Sequence, residues 1–119
     1  MDAKQIVAAL GALGQDTRLE VFRVLVQCGP HGLAAGAIAQ ALGVPPSSLT
    51  FHLQQLYHAG LITQRRLGRQ LIYAADFAAM NEIVGYLTEN CCGGNASLCA
   101  PRSKPVKGRA STRRKGRAA

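Results

Sequence analysis

Three of the four cysteines in this 119-residue chain, Cys91, Cys92 and Cys99, fall within nine residues of one another. Thiolates are soft donors, and the stretch Asn90-Cys91-Cys92-Gly93-Gly94-Asn95-Ala96-Ser97-Leu98-Cys99 holds no histidine or carboxylate. A site built there is therefore a sulfur-only one. Tetrahedral zinc needs a fourth ligand. Trivalent arsenic and antimony each take three sulfurs and keep a lone pair, so a count of three thiols favours such a metalloid. Methylated trivalent arsenic has two open positions, which Cys91 and Cys92 satisfy by themselves. Consecutive residues of a helix point about 100° apart. The two thiols converge only if the helix unwinds, which Gly93-Gly94 permits. Two other readings stay open: the cysteines are incidental, or they sense oxidants or persulfide by pairing Cys91 or Cys92 with Cys99. Neighbouring cysteines rarely pair with each other, because their Cα atoms are only about 3.8 Å apart. Cys28, closing an apolar segment, is expected to be a small buried hydrophobe.

A second group of residues has the chemistry of base reading. Leu49, Leu53 and Leu56 form one narrow apolar stripe at helical steps. Ser47, Phe51, Gln54 and Gln55 then point most nearly away from it, with Ser48 and Thr50 on its flanks. Ser, Thr and Gln carry donors and acceptors suited to base edges or phosphates, and Phe51 suits a thymine methyl. His52 lies at the stripe's border and is expected to be packed and hydrogen-bonded; His31 and His58 receive no role. This segment has no Lys or Arg. Attraction to phosphate must come from Arg65, Arg66 and Arg69 and from the basic C-terminal tail, with Lys4 or Arg18 as further candidates.

The elements that position these groups follow from periodicity. Ile6, Val7, Leu10 and Leu13 predict a helix over residues 3–13, stopped by Gly14. Thr17 and Glu20 have capping-box spacing and open a second helix, lined by Leu19, Val21, Phe22, Leu25 and Val26 and closed by Cys28-Gly29-Pro30. A short third helix covers 34–42, with Ile38 and Leu42 inward. Pro45-Pro46 suits the start of a fourth, running to about residue 59. Residues 61–66 and 70–74 alternate like strands, and Leu67-Gly68-Arg69 joins them as a hairpin with a basic tip. Asp76 caps a last helix over 77–89, lined by Phe77, Met80, Ile83, Val84 and Leu87. The fold class expected is mainly α with a small β-hairpin, a winged helix-turn-helix, dimeric. Three segments result: a DNA-binding and dimerisation domain over 1–90, a metalloid-binding segment over 91–99 and a basic disordered tail over 100–119.

The formal charge of +8 is unevenly placed. Residues 1–99 hold six bases and six acids, whereas 100–119 hold eight bases and no acid, so the whole excess lies in the tail. Apolar runs are far short of the ~20 residues of a membrane span, and the N-terminal segment lacks the layout of a signal peptide. A cytoplasmic chain is expected. Neither a nucleophile–base pairing nor a phosphate loop is visible, so an enzyme and an organic cofactor are not expected.

These stretches together resemble the ArsR/SmtB family of bacterial metal-responsive repressors over about residues 1–90. The resemblance is carried by Asp16-Thr17-Arg18-Leu19-Glu20-Val21-Phe22, Ala37-Ile38-Ala39-Gln40-Ala41-Leu42-Gly43, Ser48-Leu49-Thr50-Phe51-His52-Leu53-Gln54-Gln55-Leu56, Ala59-Gly60-Leu61-Ile62 and Gly68-Arg69-Gln70-Leu71-Ile72-Tyr73. It implies a homodimer formed by the first and last helices, bound to double-stranded operator DNA and released by an inducer. The cysteine pair that many arsenic sensors of the family carry in the third helix is missing here, as are the histidines of zinc sensors on the last helix. Cys91, Cys92 and Cys99 look like the C-terminal arsenic site of a smaller branch, which implies arsenite, methylarsenite or antimonite as inducer.

Overall fold

The structure is a computed structural model that describes residues 1–94. Cys99 and the basic segment 100–119 lie outside the described residues. The chain divides into two compact units, Met1–Gly85 and Tyr86–Ala119.

The first unit begins with α1 (Ala3–Leu13) and α2 (Asp16–Cys28), followed by β1 (Leu33–Ala34), α3 (Ala35–Leu42) and α4 (Pro46–His58). The strands β2 (Ile62–Leu67) and β3 (Gln70–Ala75) come next, and α5 (Phe77–Leu87) runs to the end of the unit and slightly beyond. Five helices and a three-stranded antiparallel sheet of order β1-β3-β2 make a winged helix-turn-helix.

Helix α1 is opened by a reciprocal capping box that the periodicity does not reveal. Asp2 Oδ1 accepts from the Gln5 backbone N–H at 2.9 Å, and the Asp2 N–H donates to Gln5 Oε1 at 2.8 Å. The Thr17/Glu20 pair does not open α2. Its N-cap is Gln15, whose Oε1 accepts from the Arg18 N–H at 2.9 Å, and Asp16 and Thr17 already lie inside the helix. Asp76 does cap α5, its Oδ1 accepting from the Ala79 N–H at 3.0 Å.

One apolar stripe from each helix meets in a single core. Ile6 and Ala9 come from α1, Val21, Phe22 and Leu25 from α2, Ile38 from α3 and Ile83 from α5. Leu49, Leu53 and Leu56 are 1%, 1% and 0% exposed, so α4 is held by its leucine stripe and its opposite face is fixed outward. Burying each such leucine stabilises the fold by roughly 1.5–3 kcal/mol. The sheet contributes Ile62, Tyr73 and Ala75 to the same core.

The hairpin differs from expectation in two ways. Leu67 belongs to β2 and pairs with Gln70, so the connection is the two-residue loop Gly68-Arg69. Gly68, at φ +64, takes the first central position of a hairpin turn, where a side chain would be strained. The hairpin is also not alone. Strand β1 pairs with β3, Leu33 opposite Tyr73 and Ala34 opposite Ile72. This extra strand takes the first residue from the expected third helix, and Gly32 makes it fit. A Cβ on Gly32 would lie 2.3 Å from the Tyr73 carbonyl oxygen, and its φ is +75.

In the second unit, α5 ends at Leu87, and the Cys91 N–H donates to the Thr88 carbonyl at 2.8 Å. A short 3-10 turn covers Cys91–Gly94.

Candidate functional site

The DNA-facing candidates are set by α4 and the β2–β3 wing. Pro46 occupies the start of α4, where the missing N–H costs nothing. With the leucine stripe buried, Ser47, Ser48, Thr50, Phe51, Gln54 and Gln55 are all exposed. Phe51 is 55% exposed, an aromatic presented to the outside of the helix. Thr50 is partly committed: its Oγ1 donates to the Pro46 carbonyl at 3.0 Å, leaving its methyl and a lone pair to a ligand. Helix α4 holds no Lys or Arg and presents neutral hydrogen-bonding groups around one aromatic ring.

His52 is packed as expected, and its ring meets Phe51 edge-on at a centroid distance of 5.7 Å. It is not hydrogen-bonded as expected. Its Nδ1 is buried with no hydrogen-bond partner among the described residues. Leu49, Leu53 and Leu56 flank it on its own helix and offer the ring nitrogen nothing.

The positive charge of the site comes from the wing. Arg65, Arg66 and Arg69 are exposed, and β2 and β3 contain no acid. The alternation of a strand separates the three. Arg66 pairs with Leu71, on the face that carries Ile62, Tyr73 and Ala75, whereas Arg65 pairs with Ile72 on the other face. Arg65 also reaches across the sheet, and its Nη2 donates to the His31 carbonyl at 3.1 Å. Arg69 sits in the loop at the tip. Of the further cationic candidates, Lys4 is exposed. Arg18 is half-buried and its Nε donates to the Ala12 carbonyl at 2.7 Å, which commits one of its donors to the fold.

The thiols divide differently from expectation. Cys28 is exposed, not buried. Its position fits the spacing of Leu25, but α2 ends there and Gly29, at φ +88, turns the chain away before the stripe can be covered. Cys91 and Cys92 are half-buried, with their Sγ atoms 3.9 Å apart. Unwinding starts earlier than Gly93: Asn90 has φ +55 and Cys92 φ +59, both in the left-handed region. A non-glycine residue there costs roughly 1–3 kcal/mol, and at this site the conformation brings two consecutive thiols side by side. At that separation the two thiols are in sulfur–sulfur contact, a pair of soft donors side by side. Among the described residues, no three His, Cys, Asp or Glu side chains gather into a metal site. Cys99, the expected third donor, lies outside the described residues.

Among the described residues, no helix is long and apolar enough to cross a membrane. Residues 13–65 match the family model described as a helix-turn-helix domain. The chain is 30% identical over 88 residues to the nodulation protein NolR of Rhizobium meliloti, covering 74% of this chain and 70% of that protein. It is similar to the structure of an ArsR-like transcriptional regulator from Rhodococcus sp. RHA1, at 25% identity and TM-score 0.67 over 83% of this chain and 91% of that one. It is also similar to the homodimeric winged helix-turn-helix DNA-binding domain Mb0332 of Mycobacterium bovis, at 26% identity and TM-score 0.58 over 77% and 85% of the two chains.

Proposed function

The chain belongs to the ArsR family of helix-turn-helix transcriptional regulators, and from that premise we propose that it is a homodimeric repressor released from its operator by trivalent arsenic. Such a DNA-binding regulator is not an enzyme. The inducer is arsenite or methylarsenite, with antimonite as the chemical relative, held by Cys91, Cys92 and Cys99. The observation that carries this reading is the 3.9 Å separation of the Cys91 and Cys92 sulfurs.

In this reading α4 lies in the major groove, with Ser47, Ser48, Thr50, Phe51, Gln54 and Gln55 at base edges and phosphates. Arg65, Arg66 and Arg69 hold the flanking backbone. Helices α1 and α5 build the two-fold interface. Val7 and Leu10 on α1 and Val84 on α5 are 67%, 41% and 53% exposed, an apolar surface that a second copy would cover. Metalloid binding just after α5 ties Cys99 to Cys91 and Cys92 and favours a dimer geometry that no longer matches the operator spacing. Such coupling requires the inducer to prefer the released state.

A DNA-release assay with arsenite, methylarsenite, zinc and peroxide, on wild type and on Cys91→Ser, Cys92→Ser and Cys99→Ser, tests the reading. Release by arsenite that disappears in Cys92→Ser supports it. Release by arsenite that survives loss of Cys92 removes the proposed site. Release by peroxide alone makes the same thiols a redox sensor.

A further inference from the structure

A cleft of about 360 Å³ opens between α1 and the C-terminal half of α4, lined by Ala8, Gly11, Ala12, Arg18, Gln55, His58 and Ala59. Of its lining only Gln55 belongs to the DNA-reading set, and no thiol lines it. Its width has a plain cause. Ala8, Gly11 and Ala12 share one face of α1 at i, i+3 and i+4, and neither they nor Ala59 carries more than a methyl group. A Cβ added at Gly11 would meet nothing within 4 Å.

Small residues alone would make only a gap. Arg18 gives this one a chemical preference. Its Nε donates to the Ala12 carbonyl at 2.7 Å, and its two terminal nitrogens make no hydrogen bond among the described residues. No carboxylate among the described residues pairs with it: the one ion pair there joins the Met1 ammonium to Glu82. Gln55 and His58 line the opposite wall and donate N–H groups, His58 in either protonation state. The lining contains no acid.

We propose that this cleft binds a small organic carboxylate, its two oxygens on the terminal nitrogens of Arg18 and its apolar body against Ala8, Ala12 and Ala59. The end-on fork of a guanidinium matches a carboxylate's pair of oxygens. The alanine methyls suit a short hydrocarbon or ring, which a carboxylate's apolar body supplies and inorganic phosphate lacks. Gln55 belongs both to this wall and to the exposed face of α4, so an occupant touches the helix that carries the base-reading residues. Binding here uses no thiol and so is independent of the metalloid.

The test is a titration of the full chain, without DNA or arsenic, followed by amide NMR shifts, with benzoate as the carboxylate probe and inorganic phosphate as the comparison. The expected result is saturable shifts at Gly11, Ala12 and His58 with benzoate, and weaker binding of phosphate. Arg18→Gln should weaken benzoate by about tenfold or more, the cost of a hydrogen bond to a charged group. Because Arg18 also braces Ala12, Gly11→Leu is the second variant: it fills the cleft, leaves that brace in place and should abolish the shifts. No saturable binding of benzoate, unchanged binding in Gly11→Leu, or phosphate binding tighter than benzoate would each overturn the proposal.

Discussion

Arg65 donates from its Nη2 to the carbonyl oxygen of His31, 3.1 Å away and 34 positions earlier in the chain. One wing arginine thus ties the hairpin to the turn that precedes β1. Arg66 and Arg69 have no such bond among the described residues. Arginines that look equivalent in sequence divide into one that braces the wing and two that are free to meet phosphate.

Salt dependence separates the two roles. Arg66→Ala and Arg69→Ala should each weaken operator binding across all sequences and lower the slope of log K against log salt by about 0.9 for each phosphate no longer neutralised. Arg65→Ala should weaken binding with a smaller change of slope, because part of its effect is a loosened wing. Fluorescence anisotropy of labelled operator over a salt series distinguishes the two. Equal slopes for all three variants would remove the bracing role.

Phe51 should separate affinity from stability. The ring is mostly exposed, so Phe51→Ala should shift unfolding by no more than about 0.5 kcal/mol, as is usual at surface sites. Operator binding should fall by roughly 1–3 kcal/mol, the usual scale for one mismatched base pair, and discrimination for thymine at one position should go with it. Denaturation and anisotropy on the same preparation check both halves.

Gly32→Ala should damage the wing. The new methyl would meet the Tyr73 carbonyl at 2.3 Å in a conformation with positive φ. A strained backbone of this kind costs roughly 1–3 kcal/mol before the steric term is added. A lowered thermal midpoint and faster hydrogen exchange in β3 are expected, with Leu33 and Ala34 losing their pairing first.

His52→Phe should be neutral or stabilising. Burying a polar atom without a partner costs about 1–3 kcal/mol, and an aromatic ring of similar size keeps the packing without the orphaned nitrogen. Urea denaturation measures the change. A loss greater than about 2 kcal/mol, beyond ordinary repacking costs, would show that the imidazole has a structural task.

Much of this architecture was legible from spacing alone. The stripe Leu49, Leu53, Leu56 fixes which face of α4 is buried, and the outward set Ser47, Phe51, Gln54 and Gln55 follows by elimination. The alternation at 61–66 and 70–74 predicts the hairpin to within one residue at each end, and Asp76 predicts the cap of α5. These are local relations, each written within one or two turns or one strand pair. What the sequence could not express depends on residues far apart along the chain. Two-residue strand β1 is too short for any periodic signal and exists because β3 offers it an edge. The brace from Arg65 to His31, the orphaned His52 nitrogen, the exposure of Cys28 and the Arg18 cleft each require knowing which elements meet. Periodicity tells each helix which side to bury. Only packing decides what stands opposite that side, and so which polar atoms find partners and which are left facing a gap.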